Sequence, residues 1–302
     1  MNEIVILTPS YNRAKTLTKL YESLIKQGDN NFEWLIVDDG STDETRVLVK
    51  KMKMEGKIKI KYIVQQNGGK ARALNRGFSY CDYASVFVVV DSDDYLLPSA
   101  IKTIQDYLER YRDNKEVGAF FFHYQTPSGS ILKPDGKVID SDKMLTRYQY
   151  NNIYKKNDGC ICYLNKAVKK YRYPEFSGEN YVGPTVIQLE MANEYKIIFS
   201  PKIVGVAEYL DGGLSKSGRL LRVKNPMGML YYVKLMLSSK SNIFTQMKYA
   251  LSIWPYAKYA NKSFLDIVKM VRRPILLCST YIPGQILYLY WNKKFKKSLN
   301  TD

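Results

Sequence analysis

Two groups of carboxylates sit where a divalent cation or a polar ligand would be held. Asp38 and Asp39 follow the apolar run Trp34-Leu-Ile-Val37, and Asp91, Asp93 and Asp94 follow Val86-Phe-Val-Val-Val90. Five acids around one edge would repel each other strongly unless a cation or hydrogen-bond donors lay between them. Asp-x-Asp after a buried strand suits Mg²⁺ or Mn²⁺, because hard cations take oxygen ligands and complete their shell with substrate phosphates. The implied substrate carries a diphosphate. Other devices for holding one are missing: there is no Gly-x-x-x-x-Gly-Lys-Ser/Thr loop, and Asn67-Gly-Gly-Lys70 does not make Gly-x-Gly-x-x-Gly. That argues against an ATPase or a dinucleotide enzyme. The alternative for Asp91–Asp94 is a helix N-cap cluster, although Pro98, not the acid run, begins the next helix.

These acids need elements that bring strand ends together. Apolar runs of strand length alternate with helix-period segments as far as residue 124, the pattern of βαβ units around a parallel sheet. Ile4–Leu7, Trp34–Val37, Lys59–Val64 and Val86–Val90 read as strands. Helices are expected over Ala14–Gln27, after a Ser41-x-x-Glu44 capping box, over Lys70–Ser79, and from Pro98 to about Arg112. Val117–Tyr124 is another strand, 125–160 reads as a long loop or lid, and a helix Val182–Tyr195 and a strand Ile197–Val206 close the body. In such sheets ligands bind just beyond the carboxyl ends of the strands, where both acid groups fall.

Thr8-Pro-Ser-Tyr-Asn-Arg13, Val37-Asp-Asp-Gly-Ser-Thr-Asp43, Asn67-Gly-Gly-Lys-Ala-Arg-Ala-Leu-Asn-Arg-Gly77 and Asp91-Ser-Asp-Asp94 together resemble the family 2 glycosyltransferases of GT-A fold, of bacterial surface-polysaccharide type, over roughly residues 1–210. The resemblance implies an α/β fold with a Rossmann-like, mostly parallel sheet and flanking helices. It also implies an inverting transferase that uses a nucleotide-diphosphate sugar, usually a UDP-sugar, with Mn²⁺ or Mg²⁺. Carried onto these positions, Pro9 and Tyr11 line the base pocket, Tyr11 by stacking on a pyrimidine, and Arg13 belongs to the same nucleotide-binding block. Thr8 and Asp39, with Asp38 beside it, hydrogen-bond the base, and Arg72 holds that carboxylate. Asp91 contacts the ribose, and Asp93 ligates the metal that bridges the phosphates.

Inversion needs a base to take the acceptor hydroxyl's proton. The family places an acid near a late helix start, and Glu179 in Gly178-Glu-Asn-Tyr181 is its counterpart. Many members carry a second acid directly afterwards, where this chain has Asn180. Glu179 thus reads as the catalytic base or as a helix cap, with Asp158 and Glu190 as further candidates. Glu208–Ser215 resembles the family's mobile loop, and Lys216, Arg219 and Arg222 beyond it are placed to reach the leaving diphosphate. An ordinary linker is the other reading of that segment.

At 302 residues with 45% apolar side chains, the chain can bury a sizeable core. Its net charge of +17 is uneven, since residues 216–302 hold sixteen basic and two acidic side chains. The expected organisation is a catalytic domain over 1–215 and a basic, aromatic-rich helical region over 216–302. Amphipathic stretches such as Met229–Leu237 and Tyr249–Tyr259 point to an anionic membrane surface. Pro274–Asn292 is uncharged but broken by Pro283-Gly284, which favours an interfacial or hairpin-like segment over a spanning helix. No signal peptide is visible, because Met1-Asn-Glu precedes only four apolar residues.

The four cysteines are too few for a disulfide framework, so the compartment reads as reducing. Cys160-x-Cys162 lacks a second pair, and with His123 the lone histidine, a zinc site is disfavoured. His123 reads as a satisfied strand histidine. No RRM, KH, zinc-finger or helix-turn-helix signature accompanies the basic tail, which argues against nucleic acid as a partner. The expected protein is cytoplasmic and peripheral on the inner face of the plasma membrane, with a nucleotide-sugar donor and a carbohydrate or lipid-linked acceptor. A non-catalytic sugar-nucleotide binder is the alternative.

Overall fold

The computed structural model describes residues 3–28, 31–132, 137–154, 158–207 and 214–299, with the side chains of 214–217 left out. The chain divides into two compact units, one of residues 1–173 and 190–208 and the other of 174–189 and 209–302. The charge boundary at residue 215 does not coincide with that division, because 174–189 is grouped with the C-terminal helices.

The first unit opens with β1 (Ile4–Ser10), α1 (Leu17–Ile25), β2 (Phe32–Asp38), α2 (Thr45–Glu55), β3 (Ile60–Val64), α3 (Lys70–Tyr80) and β4 (Val86–Val89). It continues with β5 (Tyr95–Leu96), α4 (Ala100–Arg110), β6 (Val117–Gln125), β7 (Lys143–Leu145), α5 (Arg147–Tyr154), β8 (Gly159–Leu164), α6 (Asn165–Val168), α7 (Val186–Glu190) and β9 (Lys196–Val206), with α7 shared between the units. One sheet runs in the order β3-β2-β1-β4-β8-β6-β9-β5, with β7 also paired to β9. Strands β3, β2, β1 and β4 are parallel. The chain moves one way from β1 to β3 and then crosses to the other side of β1 for β4. That reversal leaves a crevice beyond the carboxyl ends of β1 and β4, where open sheets bind ligands. β1 and β2 are buried along their whole length, as strands covered by helices on both faces should be. Each fully buried Leu, Ile or Val contributes about 1.5–3 kcal/mol relative to an exposed one.

Three departures from the sequence reading have local causes. β7 and α5 fall inside the 125–160 stretch that reads as a loop, and at its end starts β8, which lies antiparallel between β4 and β6. Its run Gly-Cys-Ile-Cys-Tyr-Leu puts Cys160 and Cys162 in the core. The late helix is shorter than expected, because Gly183-Pro184 delays its start. Ser41 does not open α2, which begins at Thr45 with Glu44 as its N-cap.

The second unit is helical: α8 (Leu214–Lys224), α9 (Pro226–Met236), α10 (Ile243–Tyr259), α11 (Phe264–Val271) and α12 (Pro274–Leu299). The amphipathic stretches expected to face lipid instead build a core, with Met229, Leu230, Val233, Ile253, Trp254 and Tyr256 buried. Pro274–Asn292 is not a hairpin. It forms most of one helix that continues through Pro283 and Gly284. Gly284 faces Trp254, and any side chain there would overlap the indole, so the glycine lets α10 and α12 approach closely. Thr280 Oγ1 accepts the Trp254 indole N–H at 3.2 Å and donates to the Ala250 carbonyl at 3.1 Å. Among the described residues no helix is long and apolar enough to cross a membrane.

Candidate active site

The ends of β1, β2 and β4 meet because the strands stop in register, with Ser10 opposite Asp38 and Leu7 opposite Val89. Beyond β1 the chain turns at Asn12, whose φ of 53° lies in the left-handed region that asparagine tolerates. Asn12 Oδ1 accepts from the Thr42 amide at 2.8 Å, and the Asn12 amide donates to Ser41 Oγ at 2.9 Å. Asp43 accepts from the Ala14 amide at 3.1 Å and the Thr45 amide at 3.0 Å. Burial works to raise the Asp43 carboxyl, but the Thr45 hydroxyl and these amides hold it below the usual range. The loop carrying Tyr11 is thus tied to the loop after β2, and Tyr11 itself is 46% exposed. Pro9 is buried at the end of β1. Thr8 is fully buried and its Oγ1 accepts the Trp34 indole N–H at 3.0 Å, which anchors its side chain in the core.

The two acids after β2 orient loops. Asp38 Oδ1 accepts from the Ser41 amide at 2.8 Å and Oδ2 from the Tyr62 hydroxyl. Asp39 Oδ1 accepts from Gln65 Nε2 at 2.7 Å and the Gly68 amide at 2.9 Å, and Oδ2 from the Gly69 amide at 2.7 Å. With these three bonds Asp39 shapes the turn that starts α3. Arg72 folds back over that turn, its Cδ 2.6 Å from where a side chain on residue 68 would begin.

Asp91, Asp93 and Asp94 each offer a carboxylate oxygen, all within 4.8 Å of one another. Lys70, from the first turn of α3, grips Asp91 with Nζ 2.5 Å from Oδ1 and 2.6 Å from Oδ2. Arg13 Nη2 lies 3.8 Å from Asp93 Oδ2. Desolvation works to lower the Lys70 ammonium's pKa, but Asp91, Asp94 and Asp93 together raise it. Asp94 is pushed up to about 9, first by desolvation and then by its neighbours Asp91 and Asp93, with Lys70 opposing. Such crowding of oxygen donors fits Mg²⁺ or Mn²⁺, and Asp94 joins Asp93 as a possible ligand. The sequence motifs contain Lys70, Asn12 and Asp43 without giving them a role, and they omit Gln65; the partners of all four lie 21 to 30 residues away.

Glu179 belongs to the second unit. Its Oε1 accepts from the Met227 amide at 2.7 Å and its Oε2 from the Gly228 amide at 2.8 Å. These are orphan donors of α9's first turn, so Glu179 caps that helix from a distance. Burial raises its pKa, while the two amides oppose the rise. Asn225 Oδ1 accepts from the Asn180 and Tyr181 amides at 2.8 and 3.0 Å, which fixes the same segment. Arg219 Cζ stacks 4.3 Å from the Trp291 ring centroid. The glycine-bearing loop up to residue 213, and the Lys216 side chain, lie outside the described residues.

Residues 5–172 match the family model described as "Glycosyl transferase family 2". Over 133 residues the chain is 30% identical to the glycosyltransferase GlyG of Streptococcus pneumoniae serotype 4, covering 43% of each protein. It spans under half the length of the curated relatives it matches. The crystal structure of S. aureus TarS 1–349 with UDP-GlcNAc superposes with a TM-score of 0.68 at 18% identity, covering 98% of this chain and 92% of that one. The Pyrobaculum calidifontis mannosyltransferase PcManGT, solved with GDP-Man and Mn²⁺, gives a TM-score of 0.57 at 14% identity, covering 95% of this chain and 87% of that one. At these identities the structural likeness establishes the fold.

Proposed function

The chain belongs to glycosyl transferase family 2, and from that premise we propose that it is an inverting, metal-dependent transferase moving a sugar from a UDP-sugar to a hydroxyl of a lipid-linked or surface-polysaccharide acceptor. The observation that carries this reading is the cluster of Asp91, Asp93 and Asp94 beyond β4, with Lys70 and Arg13 against it. The UDP-GlcNAc held by TarS and the GDP-Man and Mn²⁺ held by PcManGT support a nucleotide-sugar donor with a cation. Tyr11 stacks on the base, beside Pro9 and Asp39. Asp91 exchanges Lys70 for the ribose, and Lys70 and Arg13 then face the phosphates. Asp93, with Asp94 beside it, would hold a Mg²⁺ or Mn²⁺ ion, which would supply positive charge to the leaving diphosphate.

In the transfer itself the acceptor oxygen bonds to the anomeric carbon as the bond to the diphosphate oxygen breaks. The acceptor's proton passes to Glu179, whose raised pKa suits a base. One observation favours the second reading, a non-catalytic sugar-nucleotide binder: both Glu179 oxygens are engaged with α9. The basic second unit holds the protein on the cytoplasmic face of an anionic membrane.

A screen of nucleotide sugars for metal-dependent thermal stabilisation tests donor binding, and UDP release with the best donor then separates transferase from binder. Asp93→Ala is expected to lower metal-dependent UDP release by about 10²–10³-fold. Turnover equal to wild type would remove Asp93 from the site.

A further inference from the structure

We propose that the outward face of α12 is a membrane-docking surface that lies in the plane of an anionic bilayer. This rests on the membrane reading above and specifies the residues that make the contact. The inner face of α12 is fixed by Leu277, Thr280, Gly284 and Trp291, all buried and recurring at helical spacing. On the opposite face Ile275, Ile282, Ile286, Leu289 and Tyr290 are between 60% and 86% exposed. No charged residue occurs from Pro274 to Asn292, and exposed Lys293, Lys294, Lys296 and Lys297 follow at once. Single exposed apolar residues are ordinary on any protein, but a contiguous stripe over four turns marks an interaction site.

Charge selects the occupant. Residues 216–302 carry sixteen basic and two acidic side chains, so a second copy of this chain would bring the same excess of positive charge to the contact. An anionic bilayer offers negative headgroups for the lysines and an apolar layer for the isoleucines at the same interface. Tyr290, at the end of the stripe nearest the lysines, suits the boundary between the two. One side of α12 is already packed within the helical unit, so the helix lies along the surface instead of crossing it.

The chain carries its own reporter. Cys278 is exposed, one turn from both Ile275 and Ile282, whereas Cys81, Cys160 and Cys162 are buried. The full chain labelled with an NBD fluorophore at Cys278 is mixed with phosphatidylglycerol–phosphatidylcholine vesicles and, separately, with pure phosphatidylcholine vesicles. With anionic vesicles the emission should shift to the blue and be quenched by spin-labelled lipid. Ile282→Asp with Ile286→Asp should weaken vesicle binding by at least about tenfold while leaving the melting temperature unchanged, because both side chains are exposed. Wild-type binding with the fluorophore still in water, and no loss in the double variant, would overturn the assignment of this face and leave the membrane reading standing. No binding to either vesicle would overturn both. Concentration-dependent dimerisation that the double variant abolishes, without vesicle binding, would give the face to a second copy of the chain.

Discussion

Asp94 carries a cost that a cation would remove. Its carboxyl is held at about 9 against an ordinary 3.8, so between those values the folded chain binds a proton that the unfolded chain has lost. Its contribution to stability therefore falls as pH rises through that window. Asp94→Asn should raise the melting temperature of the metal-free protein at pH 8 by roughly 2–4 °C and shrink the further rise produced by Mn²⁺; scanning calorimetry with and without the ion reads both. Glu179 is testable at the same scale. Glu179→Gln should retain metal-dependent UDP binding while abolishing transfer, and an active variant would leave Glu179 as a cap alone. The acids of the site were legible because each follows an apolar run that could only be a buried strand. What each carboxylate touches was not legible. Asp39 is completed by amides 29 and 30 residues away, and Glu179 by amides 48 and 49 residues away, separations that no local pattern encodes.

The strands and loops around the site hold one another. Gly40, with φ at +79°, lies where a side chain would meet the Asn67 amide at 3.1 Å and the Gln65 carbonyl at 3.2 Å. The loop after β2 thus presses on the loop before α3. Gly40→Ala should cost about 1–2 kcal/mol from the left-handed conformation alone and weaken UDP binding as the Asp39 turn shifts; urea unfolding and nucleotide titration read the two effects. The parallel half of the sheet was legible from its alternation of apolar runs and helical periods. β8 was not, because its six residues follow an irregular stretch and give too short an apolar run to separate from a loop, and its place between β4 and β6 is set by pairing across the sheet.

At the scale of the whole molecule, charge is divided: residues 1–215 are near neutral, and the excess lies beyond them. Vesicle association should fall steeply between low and high salt, as screening shortens to about 8 Å at physiological ionic strength. Nucleotide binding in the partly buried aspartate cluster should change far less, and parallel titrations in sodium chloride check the contrast. Composition made the basic region legible but not which of its apolar residues stay exposed, since the segments richest in aromatic and apolar residues turn inward to form the helical core. Pro283 has a consequence of its own. Lacking an amide proton, it leaves the carbonyl of Ser279, one turn earlier, without the partner a regular helix supplies, and Ser279 is exposed. That oxygen needs another donor, and at an exposed position water supplies it; on the proposed membrane surface it would act as a depth gauge, letting α12 settle among headgroups no deeper than the level at which solvent still wets its midpoint.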